Sequence, residues 1–258
     1  MQNMSADIFL MRIQVWQETA NVAAKLHDVL PSVKWTSDTN IVVTRPFTTT
    51  VIQVVNADCI DLGRHAMLRG LNPVILNLSD DFAAGGAVQC GSGAQEESLW
   101  RRTALCRTQT QQFYPLCASG QHSLIYSPKV HVLREPESRG YAWLSPIRMD
   151  FIACPALKYP HVIHDASGNK DLSAEDKRTL ADRLRFILRV ANACHHDSII
   201  LGAMGCGAWK NPPKVVAEIF ATVLPEFELC FREITVAILS QTGLDHVFAE
   251  ALTPVSNR

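Results

Sequence analysis

Gln95-Glu96-Glu97 is the stretch whose residue types most directly suggest chemistry. Two neighbouring carboxylates can hold hydroxyl groups, and one of them can pass a proton to and from a reacting oxygen. They open a helical pattern, on which adjacent residues point about 100° apart. They therefore cannot flank one bond as the facing acids of an ordinary glycosidase do. One is expected to move the proton and the other to hold the ligand. Ahead of them lie Gly85, Gly86, Gly91 and Gly93, after the apolar run Pro73-Val74-Ile75-Leu76. A buried strand that ends in a glycine loop and re-enters as a helix is a common ligand-site layout. The bare N–H groups of such a loop can face a phosphate. On composition alone the same stretch fits a flexible loop before a helix whose first-turn acids suit the macrodipole.

A second loop has the same layout. Ser198-Ile199-Ile200-Leu201 runs into Gly202-Ala203-Met204-Gly205-Cys206-Gly207-Ala208-Trp209, and Asn211-Pro212-Pro213 opens the next helix, with proline in a first-turn place that tolerates it. Glycine suits positions where backbone must wrap a diphosphate with no Cβ in the way. Cys206 has no evident paired base and reads as structural. Asp58 ends another strand pattern and is placed to cap the helix that starts at Cys59.

The combined pattern is Asn77-Leu78, Gly85-Gly86-Ala87, seven residues, then Gln95-Glu96-Glu97-Ser98-Leu99-Trp100-Arg101-Arg102. With Tyr126-Ser127-Pro128 and the second loop, it resembles the microbial branch of the poly(ADP-ribose) glycohydrolases over roughly Val51 to Leu239. The resemblance implies a three-layer α/β/α macrodomain-like fold with a mixed central sheet and an N-terminal helical extension. It implies hydrolysis of ribose–ribose O-glycosidic bonds of poly(ADP-ribose), with Glu97 as general acid and base and Glu96 on a ribose hydroxyl. Asp58 would accept from the adenine amine and Asp80 would meet the distal ribose. Gly85, Gly86, Ala87, Gln95, Gly202, Gly205, Cys206 and Gly207 would line the ligand, and Trp209 would pack on ribose or adenine. The scheme needs no cofactor and no metal. Its partners would be ADP-ribose or poly(ADP-ribose) on modified proteins.

Some positions depart from the family pattern. Ala87 stands where the family carries a third glycine, Asp80 where it usually has Asn, Ala84 where it has Pro, and Trp209 where it usually has Phe. Aspartate can accept from ribose hydroxyls but cannot donate, and a methyl at position 87 is tolerable where φ is negative. These changes keep a second reading open, an ADP-ribose-binding module with little or no turnover.

The elements that must position these groups follow from composition and pattern. The chain has 258 residues, 47% of them hydrophobic, and a formal net charge of -1. That balance argues against broad electrostatic attachment to nucleic acid or membrane. Eight cysteines without a CxxC or metal-ligand spacing read as reduced thiols, so an intracellular protein, cytoplasmic or nuclear, is expected. No signal-peptide or membrane-spanning pattern is evident. His161 with His164, and His195 with His196, lack a third ligand at sensible spacing and read as solvated side chains. A helix is expected over 6–30, ended by Pro31, then one or two strands within 41–55. A helix after Cys59, a buried strand at 74–78 and a helix from Gln95 to about Thr110 follow. Two strand pieces around Pro128 and one strand over 146–155 come next. Ser173 with Asp176 caps a helix to Ala193. A helix to about Leu224, a strand over 231–239 and a last helix over 243–252 complete the chain. Residues 1–40 read as a helical extension packed on a catalytic domain over 41–258.

Overall fold

A computed structural model describes residues 2–118, 121–164 and 167–256. In chain order the elements are α1 (Gln2–Ala23), β1 (Val33–Thr36), β2 (Val51–Val55), α2 (Cys59–Leu68), β3 (Pro73–Asn77), α3 (Gln95–Arg102), β4 (Cys117–Ala118) and β5 (Gln121–Arg134). They continue with β6 (Trp143–Ala153), β7 (Ile163–His164), β8 (Lys170–Asp171), α4 (Ala174–Ala193), β9 (Ser198–Leu201), α5 (Pro213–Val223), β10 (Glu233–Ala237) and α6 (Leu244–Ser256). The chain forms two compact units, Met1–Thr36 with Asn77–Pro155, and Ser37–Leu76 with Ala156–Arg258. Helices and strands of both senses make the fold α/β, as the sequence implies.

In the first unit β1 and β6 each pair antiparallel with β5, Val33 opposite Tyr126 and Ile125 opposite Ala153. The two strand pieces expected around Pro128 are one bulged strand. Its register with β6 shifts between Ser127 and Val130, because proline supplies no N–H to the ladder. Helix α1 packs on α3, with the Trp16 and Trp100 rings 5.6 Å apart. The expected stop at Pro31 is wrong: α1 ends at Ala23. Arg107 Nη1 donates to the carbonyls of Ala23 and Ala24 at 2.9 and 2.8 Å, satisfying acceptors that a helix end leaves open. Helix α3 also stops short of Thr110. Thr103 turns extended at φ -137° and ψ 169° and bridges to Val132 of β5.

A polar chain ties α1 to α3 within this unit. Arg12 grips both oxygens of Glu137 at 2.7 and 2.9 Å. Tyr141 Oη donates to Glu137 at 2.9 Å and accepts from Arg101 Nε at 2.9 Å. Arg101, only 1% exposed, donates onward to the Ser92 carbonyl at 2.6 Å. The forked geometry suits a guanidinium taken out of water.

In the second unit β3, β9, β10 and β2 lie side by side and parallel. β3 and β9 are buried throughout, as unbroken apolar runs covered on both faces should be. Helices α5 and α6 join through Phe220 and Phe248, ring centroids 5.5 Å apart and edge-on. Ser173 caps α4 by accepting from Asp176 N at 3.0 Å, as its spacing predicts. The strand expected within 41–55 shrinks to β2. Thr44 instead pairs with the buried Asn192 amide, which accepts from Thr44 N at 2.8 Å and donates to Thr44 O at 3.0 Å. A side chain thus fills the place of a partner strand.

The Arg12 guanidinium, donating to Glu137, holds that carboxyl below the usual glutamate range, with Tyr141 helping and burial opposing. A depressed carboxyl stabilises the fold fully above its unfolded pKa and loses that contribution as pH falls through the folded value. Urea unfolding should therefore show Glu137→Gln less stable than wild type at pH 7. The gap should close as pH drops below the ordinary glutamate range. A gap that stays constant with pH would mean that the charge of Glu137 does not stabilise this unit.

Candidate active site

The first loop leaves β3 at Asn77 and returns as α3. Its shape is set by the two acids at the start of that helix. Glu97 Oε1 accepts from Ala87 N at 3.0 Å, and Glu96 Oε2 accepts from Asp80 N at 2.6 Å. Gln95 Oε1 takes the N–H of Leu78 at 2.8 Å. Glu96 and Glu97 are 3% and 7% exposed. Glu97 Oε2 is buried with no hydrogen-bond partner among the described residues. Burial pushes the Glu96 carboxyl well above the usual range. The adjacent Glu97 adds to this, and the Asp80 N–H and Asn77 amide oppose it. At Glu96, burial outweighs the depressing field of the helix start.

Gly86 is glycine for two reasons. Its φ is +56°, and an added Cβ would lie 2.7 Å from Glu97 Oε1 and 3.0 Å from Glu96 Oε2. At Gly85 the Cβ would strike the Trp100 ring at 2.5 Å. Ala87 has φ -99°, so its methyl costs no backbone strain. Asp80 Oδ1 accepts from Phe82 N at 2.8 Å and Ala83 N at 2.9 Å, an Asx turn that shapes the loop. Helix α1 lies against the loop's later part. A Cβ on Gly91 would meet the Phe9 backbone, and one on Gly93 the Arg12 guanidinium.

Asp58, Gly202, Gly205, Cys206, Gly207 and Trp209 belong to the second unit. β2 and β9 both run parallel to β10, so Asp58 and the second loop follow strands at their carboxyl ends, where α/β sheets bind ligands. Asp58 caps α2, its Oδ1 accepting from Ile60 N and Asp61 N at 3.0 and 3.1 Å. Gly205, at φ +71°, leaves room for Asn211, whose Nδ2 would be 2.3 Å from an added Cβ. Asn211 Nδ2 donates to the carbonyls of Leu157 and Gly205 at 2.7 and 3.1 Å and so clamps the loop. A Cβ on Gly207 would meet no protein atom within 4 Å. Burial pushes the Cys206 thiol up to about 12, which leaves it un-ionised and a poor nucleophile. Lys158 Nζ sits 5.7 Å from the Trp209 ring centroid.

Sequence reading missed three side chains that hold the first loop. Asn77 Nδ2 lies 3.4 Å from Glu96 Oε1 and 3.1 Å from Gln109 Oε1. Gln111 accepts from Ala84 N at 3.0 Å and donates to Phe82 O at 2.8 Å. The cluster Gln109-Thr110-Gln111-Gln112, polar residues beside an apolar core, was the available signal.

Residues 12–135 match the model of the microbial-type PARG catalytic domain. That segment is similar to the microbial-type PARG family. PARG abbreviates poly(ADP-ribose) glycohydrolase. The chain is 24% identical to the poly(ADP-ribose) glycohydrolase of Thermomonospora curvata, covering 93% of this chain and 98% of that one, with a TM-score of 0.78. A structure of the T. curvata enzyme bound to the inhibitor ADP-HPD aligns at 25% identity over the same shares, TM-score 0.74. The Deinococcus radiodurans enzyme in complex with ADP-ribose aligns at 25% identity over 82% of this chain and 87% of that one, TM-score 0.69. No curated protein matches the chain. The matched PARG segment contains the whole first loop and both glutamates.

Gly86→Ala should destabilise the protein by roughly 1–2 kcal/mol from the left-handed backbone alone, with the clash against both carboxylates added. Chemical denaturation measures the loss. A variant as stable as wild type would show that the loop is not held in this conformation.

Proposed function

We propose that this chain hydrolyses the ribose–ribose O-glycosidic bonds of poly(ADP-ribose), releasing ADP-ribose, with Glu97 as the general acid and base. The observation that carries the residue assignment is the Glu97 carboxyl. It is buried, pinned through Oε1 by the Ala87 N–H, and its second oxygen has no partner among the described residues. Protonated Glu97 gives its proton to the glycosidic oxygen as the anomeric C–O bond breaks. The carboxylate then takes a proton from the water whose oxygen bonds to the anomeric carbon, which regenerates the acid. Glu96, fixed by Asp80 N and Asn77, faces a ribose hydroxyl in this scheme. The PARG family match and the neighbours bound to ADP-ribose and ADP-HPD support the substrate class.

The ligand-contact roles of the loops belong to the same proposal. Gly85, Gly86, Ala87 and Gln95 are the ligand contacts proposed for the first loop; within the second unit, Gly202, Gly205, Cys206, Gly207 and Trp209 are those proposed for the second loop, with Asp58 at the adenine. The negative φ of Ala87 favours turnover over a binding-only module, because the missing third glycine leaves the backbone unstrained. The turn that Asp80 Oδ1 makes needs only an acceptor, which Asp and Asn both provide. Residues 1–40 act as a helical extension of a catalytic domain over 41–258. Eight free cysteines favour a reducing setting, cytoplasmic or nuclear. Among the described residues no helix is long and apolar enough to cross a membrane.

Glu97→Gln keeps the shape of the side chain but cannot exchange a proton. ADP-ribose release from labelled polymer should fall by roughly 10²–10⁴-fold, while calorimetric affinity for ADP-ribose stays near wild type. Intact turnover in this variant would remove Glu97 from the catalytic role. Binding of ADP-ribose without hydrolysis by wild type would favour the binding module. Gly207→Ala tests the second loop. Its Cβ meets open space, so stability should stay within about 0.5 kcal/mol of wild type while ADP-ribose affinity drops. Unchanged affinity would take Gly207 out of the ligand contact.

A further inference from the structure

Behind Glu96 runs a chain of buried polar side chains whose members beyond Asn77 the catalytic scheme does not use. Asn77 Nδ2 donates to Glu96 Oε1 at 3.4 Å and to Gln109 Oε1 at 3.1 Å. Gln109 Nε2 donates to Ser127 Oγ at 3.1 Å, and Ser127 Oγ shares a hydrogen with Ser32 Oγ at 2.8 Å. Asn77, Gln109 and Ser127 are each 0% exposed. Such groups are costly to bury unless their partners are fixed. The direction of the chain matters. With Gln109 presenting its oxygen, the Asn77 amide turns its NH₂ to both neighbours; reversed, its oxygen would face two acceptors. Among the described residues Asn77 Oδ1 has no hydrogen-bond partner, so none of them sets the orientation from that side.

We propose that Gln109 is a positioning residue for the proposed glycohydrolase site: by fixing the Asn77 amide it holds Glu96 Oε1 as a hydrogen-bond acceptor and keeps that carboxyl aimed and ionisable. The inference rests on the functional reading for its catalytic meaning, and on the hydrogen-bond chain for its geometry. The titratable groups around Glu96 are Glu97 on α3, Asp80 in the loop, and Tyr114, whose buried hydroxyl feels the charges of Glu96 and Asp80. All three disfavour or leave unaided a charge on Glu96, so the N–H donors from Asn77 and Asp80 are what oppose burial there. An amide donor to a carboxylate favours its charged form. Losing the Asn77 donor should let the Glu96 titration midpoint rise further.

The test is a ¹³C titration of glutamate δ-carboxyls, with the Glu96 signal assigned by its loss in Glu96→Gln. Gln109→Met conserves volume and removes both hydrogen bonds. It should move the Glu96 midpoint up by roughly half to one pH unit, the worth of one modest hydrogen bond. Polymer hydrolysis should fall by about tenfold to a hundredfold, with the rising limb of its pH profile displaced upward. Gln109→Glu, while neutral, keeps one acceptor oxygen and one O–H donor, and should restore the wild-type midpoint. Ser127→Ala removes only the anchor beyond Gln109. It serves as the milder variant should Gln109→Met fail to fold, and it should move the midpoint the same way by less. A Glu96 midpoint unmoved in folded Gln109→Met or in Ser127→Ala overturns the proposal. The titration needs no turnover: absent hydrolysis by wild type would sink the functional reading, and the midpoints would still decide the role of Gln109.

Discussion

The first loop depends on a requirement of electrostatics: two buried carboxyls on consecutive residues of α3 need donors, and the loop's own backbone supplies them. Glu96 takes the N–H of Asp80 and Glu97 the N–H of Ala87. The loop is therefore hung from the acids that follow it in sequence. Burial raises the cost of charging Glu96, and the Asp80 N–H and the Asn77 amide offset part of it. Charge state and loop shape are coupled at one place, so a group that changes proton count there also changes how firmly the glycines are held.

A second set of buried polar groups fixes the helix that carries the acids. Arg101 and Arg102 are among the largest fully buried side chains, an unusual place for guanidinium groups. Arg101 is satisfied by Tyr141 and the Ser92 carbonyl, and Tyr141 by Glu137. Because α3 spans only Gln95–Arg102, it has too few turns to be stable by itself. Its position comes from tertiary contacts, and those are made as much by α1 and the Glu137–Tyr141 turn as by the apolar residues Leu99 and Trp100.

The parts of the fold that show periodicity were legible. Buried β3 and β9 announce themselves as short apolar runs, and α4 through Ser173, Asp176 and a long amphipathic pattern. Boundaries set by distant residues were not. No local pattern says that Arg107 closes α1 at Ala23, that Asn192 replaces a strand partner at Thr44, or that Thr103 breaks α3 to join β5. β1, with only Val33-Lys34-Trp35-Thr36, is too short for alternation to register. At the site, residue types and spacing marked Glu96, Glu97 and the glycines, because chemistry restricts those positions. Asn77, Gln109, Gln111 and Asn211 serve by hydrogen bonds across tens of residues, and such partners leave no periodic trace.

Gly93 carries a consequence for how this sequence can drift. Any side chain there must displace the Arg12 guanidinium, yet Arg12 is held at both Glu137 oxygens. Position 93 is thereby linked by size to position 12, and position 12 by charge to position 137. A substitution at one is tolerated only with matching changes at the others, so the three should vary as a set among relatives. The helix that limits which residues the loop accepts contains none of the reactive groups, and its sequence history is bound to the site all the same.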